Sequence, residues 1–314
     1  MTPAPPANLP PSAGPAGPEE VLRRLDLTVT RRLDGLLQGD YLGLVPGHGS
    51  DLGETRPYQP GDDVRRIDWN VTARMQTPYV RQTIADRELE SWVLLDFSPS
   101  LDFGTAYCEK RDLAISAAAA VGFLTARTGN RFGALLLGPD GATTIPARGG
   151  RNNLMAAMHQ IVTVPRGREG RTDLAGGLRR LDAMTRRRGL CVVISDFLHT
   201  DGWEIPLGRL AHRHETLAVE VVDPRELELP DVGLLRLVDP RTGELREVQT
   251  ANAKLRARFA AAAAEQRAAI AGHIQRAGVD HLQLRTDRDW LLDLVRFVVA
   301  RRERQTEAAR GATS

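Results

Sequence analysis

Three stretches of the sequence place oxygen donors where an apolar run stops or a helix starts. Val93-Leu94-Leu95 gives way to Asp96-Phe97-Ser98-Pro99-Ser100, a carboxylate followed by two hydroxyls at alternate positions. Just past a strand, alternate residues turn the same way, so these side chains suit one hard cation with oxygen ligands, Mg²⁺ or Mn²⁺ rather than zinc. The same residues also suit a capped turn, with Asp96 bonded to the backbone that follows and both serines solvated. Arg171-Thr172-Asp173-Leu174 stands where a helix should start, and Thr172 either caps that helix or lends its hydroxyl to the cation. Val192-Val193-Ile194-Ser195-Asp196-Phe197 is a second apolar run that ends in a carboxylate.

Other reactive residue types form weaker patterns. Pro165 to Thr172 is basic and Gly-containing but lacks the spacing and the lysine of a phosphate-cradling loop. It reads as a flexible basic loop suited to attracting an acidic partner. His212-Arg213-His214 has no acidic residue or third histidine placed to complete a metal triad, and both histidines read as surface residues at a helix end. Cys108 and Cys191 belong to no metal-spaced cluster, which argues against a zinc site or a disulfide framework.

Two strand-end carboxylates act together only if their strands are neighbours, and the surrounding pattern predicts a sheet that makes them so. Strands are expected at Trp92 to Phe97, Arg131 to Leu137, Leu190 to Ser195, Thr216 to Val222 and His281 to Leu284. Between them, helical patterns cover Lys110 to Arg127, Asn152 to Val162, Thr172 to Arg187 and Asn252 to Arg276. A final helix is expected after Thr286 and Asp289, which have capping-box spacing. Leu234 to Val238 and Leu245 to Val248 flank a turn and read as a hairpin. Alternating strands and helices of this kind specify an α/β fold with a mostly parallel central sheet covered by helices, and ligands bind such sheets at the carboxyl ends of the strands.

Residues 1–18 are rich in Pro, Ala and Gly and are expected to form a disordered tail. Residues 19–90 form an N-terminal segment: one or two amphipathic helices over Glu19 to Gln38, then an extended block. In that block the turn Gln59-Pro60-Gly61-Asp62 leads into Ile67, Trp69 and Val71, which alternate with polar residues as in a half-buried strand, with Tyr79 to Ile84 as its partner. The main domain is expected over 91–304, with a frayed tail over 305–314.

The order of a DxSxS motif, then Thr, then Asp resembles the metal-ion-dependent adhesion site of von Willebrand factor A domains. Matched position by position, Asp96, Ser98 and Ser100 correspond to the first motif, Thr172 to the second and Asp196 to the third. The segment from Arg56-Pro57-Tyr58-Gln59-Pro60-Gly61-Asp62-Asp63-Val64-Arg65-Arg66-Ile67-Asp68-Trp69 through Ala73-Arg74 and Val80-Arg81 is similar to the signature of the bacterial family called domain of unknown function fifty-eight. The resemblance implies a Rossmann-like von Willebrand A domain with an N-terminal extended β segment and a cation that keeps one position open for a partner's carboxylate. It also implies partnership with a MoxR-type AAA+ ATPase in assembly or maturation of client proteins. The charges of the signature block, Arg56, Asp62, Asp63, Arg65, Asp68 and Arg74, suit either a salt-bridge network or a docking surface.

The expected function is therefore a non-enzymatic, metal-dependent interaction module that engages the ATPase and client proteins through an acidic side chain. The competing expectation is a metal-dependent hydrolase of phosphate esters, for which Asp102 and His199 are the nearby candidates to assist catalysis. A scaffold with a vestigial metal site is the third reading. Composition argues against nucleic acid as the partner, because 42 Lys+Arg offset 40 Asp+Glu across the 314 residues and the basic residues are dispersed. The longest apolar run, Leu113 to Ala126, is short for a bilayer and mostly Ala, and the N-terminus has no secretory pattern. Direct membrane insertion is not expected, and a cytoplasmic location is.

Overall fold

The computed structural model describes residues 10, 17–37, 55–59, 64, 67–75, 77–81, 89–166, 170–198, 202–239 and 242–311. The expected disordered tail lies almost wholly outside them. The chain divides into two compact units, one of Pro46–Glu88 and one of Met1–Val45 with Leu89–Ser314.

In the smaller unit β1 (Thr55–Pro57) pairs antiparallel with β2 (Tyr79–Arg81), and Ile67 bridges to Val80. The expected strand through Trp69 and Val71 is instead a helix, α2 (Trp69–Met75). Asp68 decides this locally: its Oδ1 accepts from the backbone N–H of Asn70 (3.0 Å) and Val71 (3.2 Å), and its carbonyl accepts from Thr72 N–H. An N-cap of that kind satisfies the first-turn donors that a strand would have sent sideways, so the two-residue alternation is overruled. Asp62, Asp63 and Arg65 of the expected charge network lie outside the described residues.

The larger unit is built on six strands: β3 (Glu90–Asp96), β4 (Arg131–Gly138), β5 (Gly141–Arg148), β6 (Leu190–Ser195), β7 (Glu215–Val222) and β10 (Asp280–Arg285). Their order is β10-β7-β6-β3-β4-β5, parallel throughout except that β5 runs antiparallel to β4. Between β7 and β10 the chain forms a separate two-stranded hairpin, β8 (Leu234–Val238) with β9 (Leu245–Gln249). The sequence pattern did not reveal β5. It is an edge strand in which Ile145 is the only fully buried apolar side chain, so it lacks the continuous apolar run of its neighbours. The pair β4–β5 turns through Pro139-Asp140, with Gly141 at φ 119°.

Alternate side chains of the parallel strands enter two cores. Val93 and Leu95 face one side with α1 (Pro18–Leu37), α3 (Lys110–Arg127), α4 (Arg151–Val162) and α8 (Trp290–Gly311). Trp92 and Leu94 face the other, with α5 (Leu174–Met184), α6 (Glu204–Arg213) and α7 (Ala253–Arg276). Val21, Leu22, Leu25 and Val29 seat α1 in the first core, so this helix packs with the sheet. The final helix starts without the expected capping box: Asp289 accepts from Leu292 N–H, while the Thr286 hydroxyl donates to Asp223.

Candidate functional site

The connection from β3 leads to β4 on one side and that from β6 leads to β7 on the other, so the chain changes direction across the sheet between β3 and β6. This is the crevice where a doubly wound sheet offers loop atoms from two directions to a ligand. Asp96 is the last residue of β3; Ser195 ends β6 and Asp196 follows it.

The Asp96 carboxylate is fully buried, and its described donors include three hydroxyls and a backbone N–H. Its Oδ1 accepts from Ser98 N–H (2.9 Å) and from the Thr172 hydroxyl (3.1 Å). Its Oδ2 accepts from the hydroxyls of Ser98 (3.1 Å) and Ser195 (2.7 Å). Ser98 and Ser100 Oγ lie 3.0 Å apart. The cap of α5 is Asp173, which accepts from Gly176 N–H (2.6 Å), and the Thr172 hydroxyl bonds the Asp96 carboxylate instead. An octahedral Mg²⁺ about 2.1 Å from each oxygen sets adjacent oxygens roughly 3.0 Å apart. Three neighbouring pairs, Asp96–Thr172, Asp96–Ser98 and Ser98–Ser100, lie 3.0–3.1 Å apart, a spacing that hydrogen bonds share and that a small hard cation would accept.

Asp196 is equally buried and held by charge. Its Oδ1 accepts from Leu198 N–H (3.1 Å) and its Oδ2 from the Lys110 ammonium (2.9 Å). Lys110 is itself fully buried and reaches Glu226 at 2.5 Å. Arg267 extends the network, binding Glu226 (3.1 Å), Glu220 (2.9 Å) and the Asp196 carbonyl (3.0 Å). His281 and Gln283 complete the shell of Glu220, each at 3.0 Å. Burial opposes the Lys110 charge, but Asp196 and Glu226 outweigh it and hold its pKa above the ordinary lysine value. Burial likewise works to raise the Glu220 pKa; His281, Arg267 and Gln283 outweigh it and set it below the usual carboxylate range.

Residues 54–269, which carry both strand ends and Lys110, Glu226 and Arg267, match the family described as protein of unknown function DUF58. The chain belongs to that family. It is 55% identical over 282 residues to the uncharacterized protein Rv1480 of Mycobacterium tuberculosis, covering 90% of this chain and 89% of that one. The uncharacterized protein Mb1516 of Mycobacterium bovis matches to the same extent. Among solved structures, BatB from Bacteroides thetaiotaomicron aligns over 68% of this chain and 99% of its own, at 13% identity and a TM-score of 0.44. The SpRpn10 VWA domain aligns over 66% and 94%, at 13% identity and a TM-score of 0.37. The von Willebrand A-like fold of this DUF58 chain is read from its own strand order and from the position of the site at the change of direction.

Four of the five residues expected at the cation, Asp96, Ser98, Ser100 and Thr172, form one hydrogen-bonded cluster. Asp196 shares a cavity with three of them, Ser98, Ser100 and Thr172, while its carboxylate bonds to Lys110 and Leu198 N–H. That cavity, of about 330 Å³, has apolar walls that include Phe103, Leu198, Leu229 and Phe259, with exposed Arg171 and Arg225 also on its lining. Asp102 is engaged elsewhere, 3.0 Å from Arg111, whose guanidinium also stacks over Phe97. His199 lies outside the described residues. His214 is a correction to the surface reading: it is buried, with Nε2 3.1 Å from the Thr185 hydroxyl, because the chain turns inward at the end of α6 to enter β7. His212 is exposed. Both cysteines are buried, and burial foremost pushes each thiol up to about 12.

Sequence reasoning missed Ser195 and Lys110. Ser195 was hidden as an ordinary strand end. Lys110 left a usable signal: of 42 basic residues only Lys110 and Lys254 are lysines, so an arginine-rich chain keeps a lysine at the start of its most apolar helix. A buried ammonium between two carboxylates needs a compact charge on a straight stem, which a forked guanidinium does not supply.

Among the described residues no helix is long and apolar enough to cross a membrane.

Proposed function

We propose that this chain is a protein-binding module that uses Mg²⁺ or Mn²⁺ to grip an acidic side chain of a partner. Asp96, Ser98, Ser100 and Thr172 are the direct ligands in this reading. Asp196 adds its charge beside them while Lys110 holds one of its oxygens. The observation that carries the reading is the spacing of four oxygen donors from two distant parts of the chain beside a cavity that reaches the surface. The bound cation would supply a positive centre for the partner's carboxylate. The hydroxyls would turn their lone pairs toward it, and Ser195 would keep its hydrogen bond to Asp96.

The partner in this reading is a MoxR-type AAA+ ATPase, with client proteins whose assembly or maturation the pair assists; the family resemblance supports this. The role is binding rather than catalysis. The extra carboxylate closest in sequence, Asp102, is committed to Arg111, and Lys110 bonds one oxygen of Asp196.

Calorimetric titration of the chain with Mg²⁺ and Mn²⁺, alone and mixed with the ATPase, tests the proposal. Saturable binding that Asp96→Ala abolishes is the expected result, together with a complex that forms only with the metal. No heat with either ion overturns the cation. Metal-dependent phosphatase or nuclease turnover, lost in Asp96→Ala, overturns the non-catalytic role.

A further inference from the structure

The two lysines of the chain are placed very differently. Lys254 is exposed in the first turn of α7, while Lys110, the first residue of α3, is wholly buried. That position carries two penalties. A buried ammonium gives up its hydration, and the first turn of a helix bears positive partial charge that repels a cation. Asp196 (2.9 Å) and Glu226 (2.5 Å) offset them. Glu226 has a second cation in Arg267, at 3.1 Å, so it is paired without Lys110. The distinct service of Lys110 is at Asp196, whose Oδ2 it holds, while Arg267 bonds the carbonyl of the same residue.

That carboxylate stands beside the proposed cation ligands. Strands β3 and β6 pair in parallel with Leu95 opposite Ile194, so the register carries Asp96 to Ser195 and leaves Asp196 one residue beyond. The Ser195 hydroxyl donates to Asp96 (2.7 Å), and Asp196 lines the same cavity as Ser98, Ser100 and Thr172. A carboxylate there is a ready additional ligand, and the number of charged ligands tunes how tightly an oxygen site holds a hard cation. Yet Oδ2 of Asp196 is taken by the ammonium and Oδ1 by Leu198 N–H (3.1 Å). An ion that took Asp196 as a direct ligand in place of Lys110 would leave the ammonium buried with one counter-charge fewer, and that loss opposes the exchange.

We propose that Lys110 sets the cation affinity of this site: by keeping Asp196 out of the ligand set it holds Mg²⁺ binding weak, so that occupancy follows the free concentration of the ion. The inference rests on the proposed cation site. It predicts a sign that a purely structural lysine does not, because removing a structural prop leaves ion binding equal or weaker, whereas removing a competitor for a ligand strengthens it.

The test is calorimetric titration of the full chain with Mg²⁺, comparing the wild type with Lys110→Met, Asp196→Asn and the double variant, together with NMR of the wild type carrying Nζ-labelled lysine. Lys110→Met is expected to bind Mg²⁺ about tenfold more tightly, because Asp196 joins the ligands, and adding Asp196→Asn should remove that gain. Asp196→Asn alone should change the affinity by less than about threefold, since its carboxylate is already taken. With Lys254 exposed, the ammonium signal protected from solvent exchange belongs to Lys110, and it should persist at Mg²⁺ saturation. A wild type that binds Mg²⁺ while Lys110→Met binds it no more tightly overturns the inference and leaves the cation reading standing. So does a tenfold loss in Asp196→Asn, or a protected signal that vanishes on saturation, and these two decide the matter if Lys110→Met does not fold. No Mg²⁺ binding by any of the four chains overturns the cation reading and the inference together.

Discussion

Asp96 and Asp196 stand at the ends of adjacent parallel strands, both fully buried, yet their surroundings differ in kind. Hydroxyls and a backbone N–H hold Asp96. An ammonium holds Asp196, within a network that ties α3, α7, β7 and β10 to the strand end. Hydroxyl donors orient a carboxylate's lone pairs and can themselves turn oxygen toward an incoming cation, which is the arrangement the proposed site uses. A built-in cation neutralises a carboxylate and fixes the elements around it, and such a pair is costly to break because the surviving charge is left in a low-dielectric interior. Under the proposed reading the Asp96 strand end is the binding end and the Asp196 strand end the anchoring end.

Breaking the anchoring end is expected to have the largest effect. Lys110→Met leaves Asp196 and Glu226 short of a buried counter-charge and should cost about 3–5 kcal/mol in denaturant unfolding. Adding Asp196→Asn to that variant should return part of the loss, because it removes one uncompensated charge; a double variant less stable than Lys110→Met contradicts the anchoring role.

The binding end should fail differently. Asp96→Asn is expected to cost about 1–3 kcal/mol, since an amide cannot accept from all the donors it inherits. It should also abolish the rise in melting temperature expected if Mg²⁺ binds the folded chain as proposed. Asp196→Asn alone should lower stability while keeping most of that Mg²⁺ response. The opposite ranking would reverse the assignment of the two ends.

Acid should loosen the anchoring network. Glu220 has a folded pKa below its unfolded value of about 4.3, so its contribution is complete above that pH and disappears as pH falls through the lowered folded value. Glu220→Gln should flatten the fall of melting temperature in that acid window; an unchanged slope places the acid sensitivity elsewhere. The smallest effect is expected at Ser195→Ala, which removes one hydroxyl from Asp96 and should cost about 0.5–1.5 kcal/mol with the Mg²⁺ response retained.

The sequence by itself determined β3, β4, β6 and β7, because strands covered on both faces are largely apolar, and edge strand β10 through its alternating Leu282 and Leu284; it placed the ends of all five to within a residue or two. It also marked Asp96, Ser98, Ser100, Thr172 and Asp196, oxygen donors that stand where an apolar run stops or a helix starts. It misread Trp69–Met75, where a single Asp68 cap outweighed alternation, and passed over β5, whose side chains are mostly half-exposed. Only the tertiary structure separated the two strand-end carboxylates. Asp196 meets Lys110 across 86 positions and Asp96 meets Ser195 across 99. The charge state and donor set around a buried carboxylate are properties of whatever the fold packs against it, and no local pattern carries that information.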